Sequence, residues 1–140
     1  TTSGAMAGEN ALKIMFQKKF PAKRLLSFER SFSGRTMALA FLTDKAAYRE
    51  GLPTTIAVDH IPFYDPKRPE ESTAEAVKRL KSYLNRYPGD YAGMCFELIQ
   101  GEGGFYPGSK EFFVSLMTLL KENNIPIFVD EIQSFSRTDC

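Results

Sequence analysis

The sequence predicts an α/β fold, a mostly parallel sheet with helices on both faces. Two observations predict it. Strand-like apolar runs alternate with helix-period segments along the chain, the order that parallel strands and crossover helices require. In addition, the run Ile125-Pro126-Ile127-Phe128-Val129 passes straight into Asp130-Glu131-Ile132-Gln133. It reads as a strand buried on both faces. Pro126 cannot donate to a ladder and belongs at the strand's start. Asp130 then falls at the carboxyl end, the edge at which open α/β sheets bind ligands.

Each element can be justified in turn. Ser3 and Gly4 precede a helix from about Ala5 to Lys19 with Ala11, Leu12, Met15 and Phe16 as its apolar stripe; Phe20-Pro21 stops it. Arg24 to Glu29 is a short strand. Phe32-Ser33-Gly34-Arg35-Thr36 turns into a helix through about Leu42, and Lys45 to Glu50 reads as another short helix. A weak strand lies within Ile56 to Ile61, before a proline-marked loop through Pro69. Ser72-Thr73-Ala74-Glu75 fits a capping box for a helix with Val77, Leu80, Leu84 and Tyr87 on one face, ended by Pro88-Gly89. Tyr91 to Ile99 is a strand and Gln100 to Gly104 a loop. Ser109 caps a helix carrying Phe112, Phe113, Leu116, Leu119 and Leu120.

Composition narrows the function. A chain of 140 residues with 43% apolar content suits one domain with a real core. A net charge of +1 argues against a nucleic-acid footprint. No apolar run reaches membrane length and no signal-peptide pattern opens the chain. Cys95 and Cys140 read as thiols in a reducing, cytoplasmic setting rather than as a bridge. His60 is the only histidine, so a metal site is not expected. The chain opens at Thr1-Thr2-Ser3 almost directly in a helical pattern and stops soon after Arg137; both ends look cut, as in a piece of a longer protein.

Four polar clusters lie just past strands or at a helix start: Ser3-Gly4-Ala5, Phe32 to Thr36, Glu97 to Gly104, and Asp130 to Gln133. Each has a plain structural alternative: a helix cap, turn glycines, a satisfied strand carboxylate, a surface charge. In a parallel sheet, however, all four can converge on one crevice.

In order and spacing, Thr-Ser-Gly-Ala-Met-Ala-Gly-Glu-Asn-Ala-Leu-Lys, Phe-Ser-Gly-Arg-Thr, Glu-Leu-Ile-Gln-Gly-Glu-Gly-Gly and Val-Asp-Glu-Ile-Gln-Ser-Phe-Ser-Arg-Thr resemble the class III aminotransferases. These are fold type I enzymes that use pyridoxal phosphate, and acetylornithine and ornithine aminotransferases are the relatives in view. The resemblance spans nearly the whole chain but only the central part of such an enzyme's large domain, so residues 1–140 are expected to form a partial cofactor-binding domain. It implies an amino transfer from an ornithine-like or other ω-amino donor to a keto acid, in a homodimer.

The resemblance also implies roles. Gly4 and Ala5, supported by Ser3, hold the cofactor phosphate at a helix N-terminus. Phe32 stacks on the pyridine ring. Asp130 pairs with the protonated ring nitrogen, which keeps the ring an electron sink, and Gln133 donates to the phenolic oxygen. Arg35 grips a substrate carboxylate. Glu102 neutralises a second arginine that lies elsewhere, and Glu97 supports the site from its strand. Two positions depart from the family pattern: Met6 stands where glutamate is usual, and Ser33 where a ring is common. The Schiff-base lysine follows the Asp-Glu-x-Gln strand in the family, yet no lysine follows Gln133. Lys13, Lys78 and Lys110 sit in helical patterns and do not match it. The chain alone is therefore expected to be inactive.

A reading from another class makes Asp130-Glu131 a Walker B pair of an ATPase, although no Walker A loop accompanies it. A third makes the chain a non-catalytic relative.

Overall fold

The computed structural model describes residues 4–97, 99–100, 106–107 and 109–130. Its strands are β1 (Arg24–Phe28), β2 (Ala57–Ile61), β3 (Tyr91–Glu97), β4 (Ile99–Gln100), β5 (Tyr106–Pro107) and β6 (Ile127–Asp130). Its helices are α1 (Gly4–Lys18), α2 (Leu39–Leu42), α3 (Pro69–Arg86) and α4 (Lys110–Glu122), with a 3-10 turn over Ala46–Tyr48. Four strands form one sheet in the order β2-β1-β3-β6, and every neighbouring pair is parallel. This is the predicted α/β architecture.

Side-chain alternation along the strands separates two apolar layers. Leu26 and Phe28 of β1 and Met94 and Phe96 of β3 face α3 and α4, whose Leu80, Phe112, Leu116 and Leu120 are fully buried among them. On the other face, Leu25, Ala92 and Cys95 meet Leu12 and Met15 of α1 and Leu39 and Leu42 of α2. β3 carries one extra residue against β1: Arg24 pairs with Tyr91 but Leu25 with Gly93. Ala92 is the residue left over, a β-bulge that resets which side chains face each layer.

Gly93 has a packing reason. A Cβ built there would lie 2.4 Å from the Met15 sulfur, so the bare backbone leaves the room that the Met15 side chain fills against β3.

The structure departs from the sequence reading in three places. The predicted capping box does not open α3. The helix begins four residues earlier with Pro69 in its first turn and Glu70 and Glu71 beside it. Proline suits that position because its missing N–H would be unbonded anyway. Ser72, now inside the helix and buried, accepts the Asp65 N–H at 3.0 Å. Next, the strand predicted through Ile99 ends at Glu97, and Ile99-Gln100 pairs instead with Tyr106-Pro107 in a small antiparallel ladder. Last, β6 is half-buried rather than buried on both faces, because it is the outer strand of the described sheet. Its side chains still reach both layers, Ile127 and Val129 on one face and Phe128 on the other.

Polar groups tie β1, β2 and β3 together. Arg24 forks onto Asp59 with Nε to Oδ2 at 2.9 Å and Nη2 to Oδ1 at 3.0 Å. Tyr91 donates its hydroxyl to the same Oδ2 at 2.6 Å, and the Arg24 guanidinium lies 3.8 Å over the Tyr87 ring. Burial works against the Asp59 charge, but the hydrogen bonds from Arg24 and Tyr91 outweigh it and hold the carboxyl below its usual range. The bond to Asp59 raises Arg24 in turn. Burial and then the Asp59 bond push the Tyr91 phenol up.

Candidate active site

The strand order places the crevice. The connection after β1 leads to β2 on one side, and the connection after β3 leads to β6 on the other. Adjacent strands whose connections diverge leave a gap at their carboxyl ends. Into that gap run the 29–38 segment after β1 and the end of β3. One strand further, Asp130 ends β6 as the register partner of Glu97.

A buried hydroxyl scaffold shapes the segment after β1. Ser31 Oγ pairs with Ser27 Oγ at 3.1 Å and donates to the Leu42 carbonyl at 3.0 Å. Thr43, 1% exposed, accepts the N–H of Ser33 at 2.8 Å and of Gly34 at 3.3 Å, and returns its own proton to the Gly34 carbonyl at 2.9 Å. The Arg30 N–H donates to Asp44 Oδ2 at 2.7 Å, and the Asp44 N–H to the Ser31 carbonyl at 2.9 Å. Residues 30–34 are thus stitched to 42–44 by side chains that no local sequence pattern marks.

The N-terminus of α1 meets this segment at Gly34. With φ at +139°, Gly34 occupies a region that disfavours any side chain. An added Cβ would lie 2.9 Å from Leu39 Cδ1 and 3.5 Å from Ala5 Cβ. Thr36 donates to Glu9 Oε1, which ties the loop to α1 one turn past Gly4 and Ala5. No acidic side chain occupies the first turn of α1, so the helix dipole there favours an anion. A phosphate fits this end: a helix start with no negative charge in its first turn and a tight glycine nearby.

Phe32 and Arg35 come together on a residue that the sequence reading passed over. The Phe32 ring meets Tyr48 edge-on, 6.1 Å between centroids at 76°, and the Arg35 guanidinium lies 4.6 Å over the same ring. Phe32 is half-buried and Arg35 exposed. Ser33, where the resemblance leads one to expect a ring, is half-buried and held by its N–H. Ser3, Glu102 and Gln133 lie outside the described residues, as does Glu131. For Gly4, Glu97 and Asp130 the backbone gives their place: the start of α1 and the ends of β3 and β6. Lys13, Lys78 and Lys110 are exposed on helices. His60 spends Nε2 on the Leu42 carbonyl at 3.0 Å.

Known proteins share both pattern and shape. The family model described as aminotransferase class-III matches residues 1–139. The chain is 35% identical over 137 residues to the mitochondrial acetylornithine aminotransferase of Candida glabrata, covering 94% of this chain and 30% of that protein. It is 35% identical over 138 residues to a putative [LysW]-aminoadipate semialdehyde/glutamate semialdehyde transaminase of Pyrococcus furiosus, covering 97% and 33%. Among solved structures, the lysine aminotransferase of M. tuberculosis superposes with a TM-score of 0.87 at 27% identity, over 96% of this chain and 35% of that one. The chain therefore spans about a third of the length of these relatives. Neither the ATPase reading of Asp130-Glu131 nor the non-catalytic one finds support among them. The chain belongs to the class III aminotransferases.

Proposed function

We propose that residues 1–140 form the cofactor-binding core of an aminotransferase that moves an amino group from an ornithine-like or other ω-amino donor to a keto acid. The observation that carries this reading is the meeting of the α1 N-terminus with the Phe32 to Thr36 loop, near the edge where β6 ends in Asp130. Pyridoxal phosphate is the cofactor of this family. Bound, it supplies an electron-withdrawing ring that takes up charge from the substrate carbon. The chain's own residues do the rest. Amides of Gly4 and Ala5, with Ser3 beside them, bind the phosphate. Phe32 covers one face of the ring. Asp130 keeps the ring nitrogen protonated, and Gln133 donates to the phenolic oxygen. Arg35 orients the substrate carboxylate, Glu102 holds a second arginine away until a second carboxylate arrives, and Glu97 supports the strand end beside Asp130.

The same reading makes the working unit a homodimer in the cytoplasm, the latter from the cysteine pattern. The relatives' names support the donor class: acetylornithine in Candida glabrata, lysine in M. tuberculosis. The 140-residue chain alone does not turn over, because no lysine follows Gln133 and proton transfer at the substrate carbon requires that amine. The test is to incubate the chain with pyridoxal phosphate, reduce with borohydride, weigh it and assay it. Scattered substoichiometric labelling without turnover is expected. A stoichiometric adduct at one lysine with transaminase turnover overturns the inactivity. For the function itself, an enzyme completed with the family's remaining segments that failed to bind pyridoxal phosphate or to use any ω-amino donor would overturn the reading.

A further inference from the structure

Tyr48 is assigned no role by the family motifs, yet it touches both of the residues that the motifs single out after β1. It closes the 3-10 turn Ala46–Tyr48, just past the stretch 42–44 to which the loop is stitched. Its ring takes the edge contact of Phe32, the Arg35 guanidinium at 4.6 Å, and the Lys45 ammonium at 4.9 Å. Neither cation has a carboxylate partner among the described residues. The carboxylate next along the chain, Asp44, is engaged with the Arg30 N–H at 2.7 Å. Two positive charges on one ring, neither in an ion pair among the described residues, leave the surroundings of Tyr48 suited to an incoming carboxylate.

We propose that Tyr48 is a positioning residue: its ring fixes the direction of the Arg35 guanidinium and the tilt of Phe32, and thereby sets affinity for substrates that carry a carboxylate. This rests on the reading of Arg35 as the substrate's carboxylate partner. An exposed arginine stem samples many rotamers. A π-face beneath the guanidinium selects among them without consuming its N–H donors, so the planar fork stays available to the substrate. A carboxylate partner in the same place would occupy those donors. Phe32 leans on the same ring, so cofactor cover and substrate grip share one support.

The experiment uses the complete holoenzyme with an ω-amino acid donor and the same molecule as its neutral carboxamide. Tyr48→Leu is expected to raise KM for the carboxylate donor roughly two- to five-fold, the range of an exposed cation–π contact, with a much smaller change for the carboxamide. Tyr48→Phe keeps the π-face and is expected to restore the original KM. Equal rises for both donors, no rise, or no rescue by phenylalanine overturns the proposal. Should Tyr48→Leu not fold, fluorinated phenylalanines at position 48 replace it: KM for the carboxylate donor climbing with each fluorine supports the proposal, and a flat series overturns it. Arg35→Ala separates the two layers of the argument. If it raises KM for the carboxylate donor while Tyr48→Leu does not, only the role of Tyr48 fails. If Arg35→Ala itself has no effect, the reading of Arg35 fails and takes Tyr48 with it.

Discussion

Glu97 and Asp130 are register partners at the ends of neighbouring parallel strands β3 and β6. That pairing brings two carboxylate-bearing residues to one sheet edge, a place suited to a cation. A protonated pyridine nitrogen is such a cation. In the holoenzyme, Asp130→Asn is expected to weaken pyridoxal phosphate binding about 10- to 150-fold, the loss of one hydrogen bond to a charged group. Inorganic phosphate binding should hardly change. Absorbance titration of both variants measures this, and equal cofactor affinity would remove Asp130 from the ring.

Gly34→Ala should damage the fold and the site together. The backbone at φ +139° and the 2.9 Å approach to Leu39 leave no room for a methyl group. Backbone strain alone costs roughly 1–3 kcal/mol, and Leu39 must also move. Denaturant unfolding reads the stability loss, and cofactor titration reads displacement of the α1 N-terminus. A variant as stable as the parent, with unchanged cofactor affinity, would show that the loop has another conformation open to it.

For Thr43, hydroxyl and shape can be separated. Thr43→Val keeps the volume but leaves the Ser33 and Gly34 amides and the Gly34 carbonyl without their buried partner. The expected cost is about 1–3 kcal/mol. Thr43→Ser retains the hydroxyl and should recover most of it. Amide hydrogen exchange at Ser33 and Gly34 should accelerate in the valine variant and not in the serine one.

Asp59 makes a pH prediction. Its folded carboxyl titrates below the unfolded value. The stability it contributes is complete above the unfolded pKa of about 4 and is lost as pH falls through the depressed folded value. Asp59→Asn is therefore expected to be less stable than the parent at pH 7, by roughly 1.5–3 kcal/mol for charged hydrogen bonds. The gap should narrow as the pH drops below about 4. Urea midpoints across pH 3 to 7, taken for both proteins, test the sign; a gap that widens in acid would contradict the assignment.

Much of this arrangement was legible in the sequence because it is periodic or punctuated. The stripe Leu12-Met15, the Ser109 cap, which accepts the Phe112 N–H at 3.1 Å, and the placing of Pro126 ahead of β6 all came from local rules. Long-range returns did not. Thr43 follows an apolar tetrapeptide and signals nothing until the fold brings Ser33 and Gly34 back to it. Tyr48 lies in a turn too short to show a face. Asp59 lies within a weak strand and its partner Arg24 is 35 positions away in sequence. Ser72 misled because a capping pattern and a helix-opening proline competed for one terminus, and the pyrrolidine ring at Pro69 prevailed. The β4–β5 ladder pairs two-residue segments, shorter than any alternation that could reveal them.

The missing side chain at Gly93 acts at a distance. Met15, seated on it, lies about 16 Å along the α1 axis from Gly4 at 1.5 Å per residue. Alanine at position 93 would meet the flexible end of the Met15 side chain. If that side chain swings aside, α1 stays where it is. If it holds, the helix backs off the sheet, and a stiff rod carries the shift to its first residues beside the Phe32 to Thr36 loop. Spacing between that tip and the loop would then answer to a substitution inside the sheet.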